Sequence, residues 1–280
     1  MKNLFSCSLL FAAAILSAAI PQSITLKSGE VSVRLDGKKR WNMNRIEYQG
    51  ELLCVDYPHA HYGMVCRPDN WKIGVGSGHD ETGFAEQLVS LKIFADGKEV
   101  LPQKDITVQG KNIRVEKVSK ILTLNVKYII NIENNIIYEF IETVSTEKMK
   151  LHHLYFFMHP WSPRFTNLYV KYADGTAKNF SFKSDNSFPN RKFAPFSAWY
   201  DSKSGYGAAT AFKNVKGTKN MMRFIWDRPQ YRKDYLCDYL IASLPAGHVI
   251  SYEAKTAFFR QQDNSKWTAD AENVFKQIKF

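Results

Sequence analysis

The chain has 280 residues, of which 45% are hydrophobic and 14% aromatic, with a formal net charge of +11. This composition excludes a disordered, collagen-like or disulfide-scaffold protein, and the length suits one large β-sandwich or barrel core. Positive charge combined with many aromatic rings points to an anionic partner, or else serves only to keep the protein in solution.

In chain order, Lys2 is followed by an apolar stretch from Leu9 to Ile20 and by the small residues Ser17, Ala18 and Ala19. The pattern predicts a signal peptide over residues 1–19, cut after about Ala19, and a single β-sandwich domain over 20–280, secreted or periplasmic. The apolar stretch is short of the ~20 residues of a membrane span. Cys7 leaves with the leader, so Cys54, Cys66 and Cys237 remain. Their odd number rules out a fully paired framework; the spacing allows a Cys54–Cys66 bridge and leaves Cys237 as a buried thiol. An exported basic protein meets uronate or sulfated polysaccharides more readily than nucleic acid, and the expected partner is an anionic carbohydrate.

Alternating apolar residues predict strands over Ile24–Leu35, Leu88–Phe94, Asn112–Val118, Leu122–Ile132 and Ile136–Val144. Shorter β-branched or aromatic runs continue at Leu151–Met158, Leu168–Tyr172, Tyr206–Phe212, Met222–Trp226, Tyr239–Leu244 and Val249–Phe259. Asp36-Gly37, Asp96-Gly97, Gln109-Gly110, Asn134-Asn135 and Asp174-Gly175 supply turn residues between them. Ser184 to Pro195 reads as a long exposed loop. Thr268 is the predicted N-cap of a C-terminal helix whose apolar stripe is Ala271, Val274, Phe275 and Ile278. The fold class expected is all-β: a large antiparallel two-sheet sandwich with a short C-terminal helix.

Pro58 to His79 gathers His59, His61 and His79 with Arg67 and Trp71 around glycines 74, 76 and 78, which displays His79 as a candidate catalyst. The glycine spacing is not a nucleotide fingerprint, because no helix pattern follows it. His59 and His61 with His79 or His153 would give three imidazoles to a metal, backed by Asp56, Asp69 or Asp80; a polar loop after Pro58 is the simpler reading, and no metal or cofactor is assigned.

The run LHHLYFFMHPW, Leu151 to Trp161, holds His152, His153 and His159 in an apolar, aromatic strand. Strict alternation would put His153, Tyr155, Phe157 and His159 on one face; the competing reading is hydrogen-bonded core histidines. His153, Leu154, Tyr155 and Phe156 resemble the His-x-Tyr-Phe core of the galactose mutarotase (aldose 1-epimerase) motif, with His152 and Phe157 where the family usually has asparagine. The resemblance implies a two-sheet supersandwich with His153 as acid or hydrogen-bond donor to a sugar ring oxygen. Glu253 compares with the family's C-terminal glutamate base.

Two kinds of function remain open. In the first, a sugar is processed by lyase or epimerase chemistry: His79 or His153 serves as base, Tyr155 as acid, and Arg67, Arg228 or Arg232 neutralises a carboxylate. In the second, the protein binds glycan or acts at the envelope surface without catalysis. In either case Trp71, His159, Trp161, Trp226, Arg228, Tyr231 and Arg232 are the expected substrate-binding residues, since rings stack on pyranose faces and arginines fork onto carboxylates or sulfates. Trp199 is a further stacking candidate.

Overall fold

The computed structural model describes residues 21–55, 62–77, 86–101 and 106–280. Its strands begin with β1 (Ser23–Ser28), β2 (Val31–Asp36), β3 (Asn42–Tyr48), β4 (Glu51–Val55), β5 (Val65–Pro68), β6 (Val75–Gly76), β7 (Gln87–Ala95), β8 (Lys98–Val100), β9 (Ile106–Gln109) and β10 (Asn112–Ile121). They continue with β11 (Leu124–Glu133), β12 (Ile136–Ser145), β13 (Met149–Trp161), β14 (Asn167–Lys171), β15 (Ala177–Ser181) and β16 (Phe196–Tyr200). The last are β17 (Tyr206–Lys216), β18 (Met222–Asp227), β19 (Arg232–Asp238), β20 (Ser243–Leu244) and β21 (Val249–Arg260), followed by the helix α1 (Trp267–Ile278).

The strands form two sheets. The first runs β18-β19-β13-β4-β3-β2-β1-β9, with β5 and β20 pairing β13 and β6 pairing β5; the second runs β15-β14-β16-β17-β21-β12-β11-β10-β7-β8. Pairing is antiparallel except for β1 beside β9. Alternation decides which side chains meet: Ile24, Val33 and Leu154 of the first sheet and Ile130, Ile141 and Tyr252 of the second share one core. Asn134 and Asn135, at φ 51° and 62°, close the β11–β12 hairpin. Asp96 and Gly97, at φ 50° and 79°, close β7–β8.

The structure departs from the sequence reading in four places. Ile24–Leu35 is a hairpin of β1 and β2 turning at Gly29, not one strand. Gln109-Gly110 does not join a hairpin, because β9 lies in the first sheet and β10 in the second. Residues 239–244 hold only the short β20, whereas Arg232–Asp238 is a buried strand inside the first sheet. That strand carries charge inside the fold: Asp234 pairs with Arg223 at 2.7 Å with both side chains fully buried. Finally, Cys54, Cys66 and Cys237 are all free and buried. Cys54 aligns with Trp161 and Cys66 with Leu154 of the same strand, roughly 20 Å apart at ~3.3 Å per residue, far beyond disulfide reach.

The helix begins at Trp267 with Lys266 at its cap and no side-chain capping bond, two residues earlier than an N-cap at Thr268 predicts. It packs on the outer face of the second sheet, where Ala198, Ala209, Ala211 and Ala257 leave room for Trp267, Ala271, Val274 and Ile278. Under this contact Gly207 has no space for a side chain: a Cβ would stand 2.1 Å from the Phe259 ring.

Candidate functional site

The histidine-rich strand β13 does not alternate strictly. Its pairing with β19 slips between Tyr155 and Phe157, and its pairing with β5 slips between Leu151 and His153. A bulge adds a residue and so shifts the faces beyond it. Tyr155 and Met158 therefore share the outer face with Val65, Tyr235 and Cys237, while Leu154, Phe157 and Trp161 enter the core. This corrects the expectation that His159 stands beside His153 and Tyr155. His159 lies between the sheets, its Nε2 3.0 Å from Glu139 of β12 and its ring against Tyr62 and Trp161. Trp161 and Trp199 are fully buried against one another. None of these three side chains offers a face to a ligand on the outer surface.

On that outer face His153 and Tyr155 do come together. The His153 ring stands 4.8 Å from Tyr155 and 5.2 Å from Tyr239, and the two tyrosine hydroxyls share a 2.6 Å hydrogen bond. His152 Nδ1 lies 3.0 Å from His153 Nδ1. Arg67 of β5 is aligned with His153, and its Nε donates to the Trp71 carbonyl at 2.8 Å, which fixes the guanidinium. Burial, then the charges of His152 and Arg67, pushes the His153 pKa down to about 4, so its imidazole is neutral near pH 7. Burial also raises the Tyr155 and Tyr239 hydroxyls above the usual tyrosine range. The centre thus holds a neutral proton acceptor, a pair of protonated hydroxyls and one guanidinium.

The same face continues across β19 onto β18, where Met222, Phe224 and Trp226 point outward together. Phe224 stacks on Tyr239 at 5.0 Å; Phe188, from the loop before β16, meets Phe224 at 5.7 Å and stacks on Trp226 at 5.2 Å. Arg191 lies over Phe188 at 4.7 Å, and Arg228 over Trp226 at 4.6 Å. Tyr231 meets Trp226 edge-on and is buried. The predicted ligand-binding Arg232 is buried instead, paired with Asp227 at 3.0 Å and bonded to the Phe165 and Pro163 carbonyls. It braces the loop: Asp227 accepts the Lys183 and Ser184 N–H groups at 2.6 and 2.9 Å, and Arg232 donates to Ser184 Oγ. Sequence reasoning missed Phe188, Arg191, Phe224 and Tyr239. The alternation Met222, Phe224, Trp226 was the available signal.

Arginine pairing sets this face apart. Arg34, Arg45, Arg114, Arg164, Arg223 and Arg232 each face a carboxylate. Among the described residues no carboxylate pairs with Arg67, Arg191 or Arg228; away from this face Arg260 is also without one, stacked on Tyr206. Glu253 sits in β21 of the second sheet, bonded to Tyr138 at 3.0 Å and to Asn214, so it is not the base of a site at His153. His59, His61 and His79, with Asp56 and Asp80, lie outside the described residues. A cleft of about 430 Å³ lined by Thr218, Asp238 and His248 contains none of the predicted site residues.

Fold and face together define an all-β supersandwich carrying an aromatic and cationic surface. No family model matches the sequence. No curated protein matches it either. Solved structures do match in fold. The Slr1438 protein from Synechocystis sp. PCC 6803 aligns over 92% of this chain and 100% of its own, with 8% identity and a TM-score of 0.53. The α-N-acetylgalactosaminidase NagBb from Bifidobacterium bifidum aligns over 91% of this chain, with 9% identity and a TM-score of 0.56; this chain spans 39% of that enzyme. A putative aldose 1-epimerase from Escherichia coli K12 aligns over 85% of this chain, with 8% identity and a TM-score of 0.46. Two broad antiparallel sheets and one terminal helix make the large two-sheet sandwich that the sequence predicts, similar in fold to Slr1438 and to part of NagBb.

Proposed function

We propose that this protein recognises carbohydrate, and specifically anionic glycan, on the outer face of β5, β13, β19 and β18. The observation that carries the reading is the set of arginines without carboxylate partners, Arg67, Arg191 and Arg228, held among Tyr155, Tyr239, Phe224, Phe188 and Trp226. Aromatic rings stack on the C–H faces of sugars, and guanidiniums bind carboxylate or sulfate in forked geometry. The carbohydrate enzymes of similar fold and the leader-like N-terminus support a role on glycans outside the cytoplasm.

The neutral His153 beside the Tyr155–Tyr239 hydroxyl pair favours uronate β-elimination as a second reading. Arg67 would neutralise the uronate carboxylate, His153 would take the C5 proton, and Tyr155 would protonate O4 as the C4–O4 bond breaks and the C4–C5 double bond forms. A base with a pKa of about 4 is weak, so binding is the primary reading.

Purified protein is titrated with polygalacturonate, alginate, hyaluronan and heparin, with neutral glucans as controls, while absorbance of unsaturated uronates is followed. Binding to an acidic polymer in preference to neutral glucans is expected. Equal or absent binding across the panel overturns the proposal. If absorbance rises, His153→Ala should abolish the rise while leaving binding within threefold.

A further inference from the structure

The proposed binding face is larger than a monosaccharide needs. Tyr155 is aligned with Cys237 and Trp226 with Lys233, on the two strands that flank β19. They are four positions apart along β19, about 13 Å, and two strand spacings apart across the sheet, close to 10 Å, giving a diagonal of roughly 16 Å. Along that diagonal the rings follow without a break: Tyr155 to Tyr239 at 5.6 Å, Tyr239 to Phe224 at 5.0 Å, Phe224 to Phe188 at 5.7 Å and Phe188 to Trp226 at 5.2 Å. The arginines are spread along it as well. Arg67 is beside His153 at one end, Arg191 is over Phe188 and Phe224 in the middle, and Arg228 is over Trp226 at the far end.

Resting on the reading of this face as an anionic-glycan surface, we infer that its ligand is a linear acidic polysaccharide bound through several consecutive sugar units. One chain lies along the diagonal from Arg67 to Arg228. A single sugar ring covers only one stretch of this row and meets one guanidinium. A chain with a repeating acidic group meets all three, and each added unit reaches rings already held in place. The far end is built rigidly for this: Trp226 Nε1 donates to the Asn186 carbonyl at 3.0 Å, and Asp227 with Arg232 pins the loop that carries Phe188. Trp226 and Phe188 stack at 11° between planes, so the platform exists before ligand arrives.

The test is calorimetric titration with oligogalacturonates of two to eight units and with heparin fragments of matched length. Affinity is expected to rise at least tenfold between two units and the length that fills the diagonal, and then to level off. Arg228→Ala, and separately the exposed Arg191→Ala, should cost at least fivefold for the longest fragments; Arg228→Ala should leave the two-unit fragment within twofold. Circular dichroism and melting temperature verify that each variant is folded, and the surface position of Arg191 keeps the test available if Arg228→Ala does not fold. Affinity independent of length, or equal losses for short and long fragments with Arg228→Ala, overturns the extended site but leaves acidic-sugar recognition standing. No binding at any length, or stronger binding of a single-stranded oligonucleotide, overturns the glycan reading itself.

Discussion

His153 shows how one side chain can be half legible. Its place in an aromatic strand flagged it, and the structure sets it with Tyr155, Tyr239 and Arg67 on a single face. The rest of the face was hidden because Tyr239, just past the end of β19, and Phe224 of β18 are remote in sequence, and Arg191 comes from a loop. His159 looked equivalent but is enclosed, since nothing in the residue order announces a bulge. The His153 pKa, lowered to about 4 by burial and then by His152 and Arg67, carries a testable sign. The unfolded chain binds a proton near pH 6.5 and the folded chain only near 4. Stability due to this group is therefore full above pH 6.5, falls as pH drops through that window, and is fully lost below about 4. The total is on the order of 3 kcal/mol. The urea midpoint of the wild type should fall relative to that of His153→Gln as pH drops from 7 to 4; parallel curves would remove the burial argument.

At the scale of elements, strand alternation was legible wherever one face meets the core and the other meets water, as in β10 and β12. It failed at β19, where every residue is buried and the charges are satisfied internally by Arg223–Asp234 and Arg232–Asp227. A residue-by-residue pattern counts those side chains as solvated. The helix was legible from its stripe, while its dock was not: that depends on small residues gathered from β16, β17 and β21. Ala209 is fully buried in this contact. Ala209→Leu should therefore overpack the interface and cost about 1–3 kcal/mol, read as a lower urea midpoint. An unchanged midpoint, or one lowered equally after α1 is removed, would show that the helix does not rest on this surface.

The whole molecule joins its sheets through polar as well as apolar contacts. Lys117 of β10 pairs with Glu86 at 2.8 Å and donates to Asn42 of β3 at 2.6 Å, and Asn42 donates back to Glu86. Burial works against the Glu86 charge, but Lys117 and hydrogen bonds from Ser119 and Asn42 hold its carboxyl below the usual range. A Lys–Glu pair of this kind cancels within the net +11 and offers nothing to a ligand. On the face proposed for a glycan, the charge left without carboxylates among the described residues is at Arg67, Arg191 and Arg228. That distinction predicts a salt response. The Debye length falls from ~10 Å at about 0.1 M salt to ~3 Å at 1 M, so guanidinium attraction to a chain lying along the face is screened while ring stacking persists. Affinity for an acidic hexasaccharide should drop at least tenfold between these conditions, and Arg67→Ala should flatten the dependence. A steep dependence left unchanged by Arg67→Ala would place the attraction in the general positive charge of the molecule instead. A flat dependence in the wild type would leave the aromatic rings as the sole contributors.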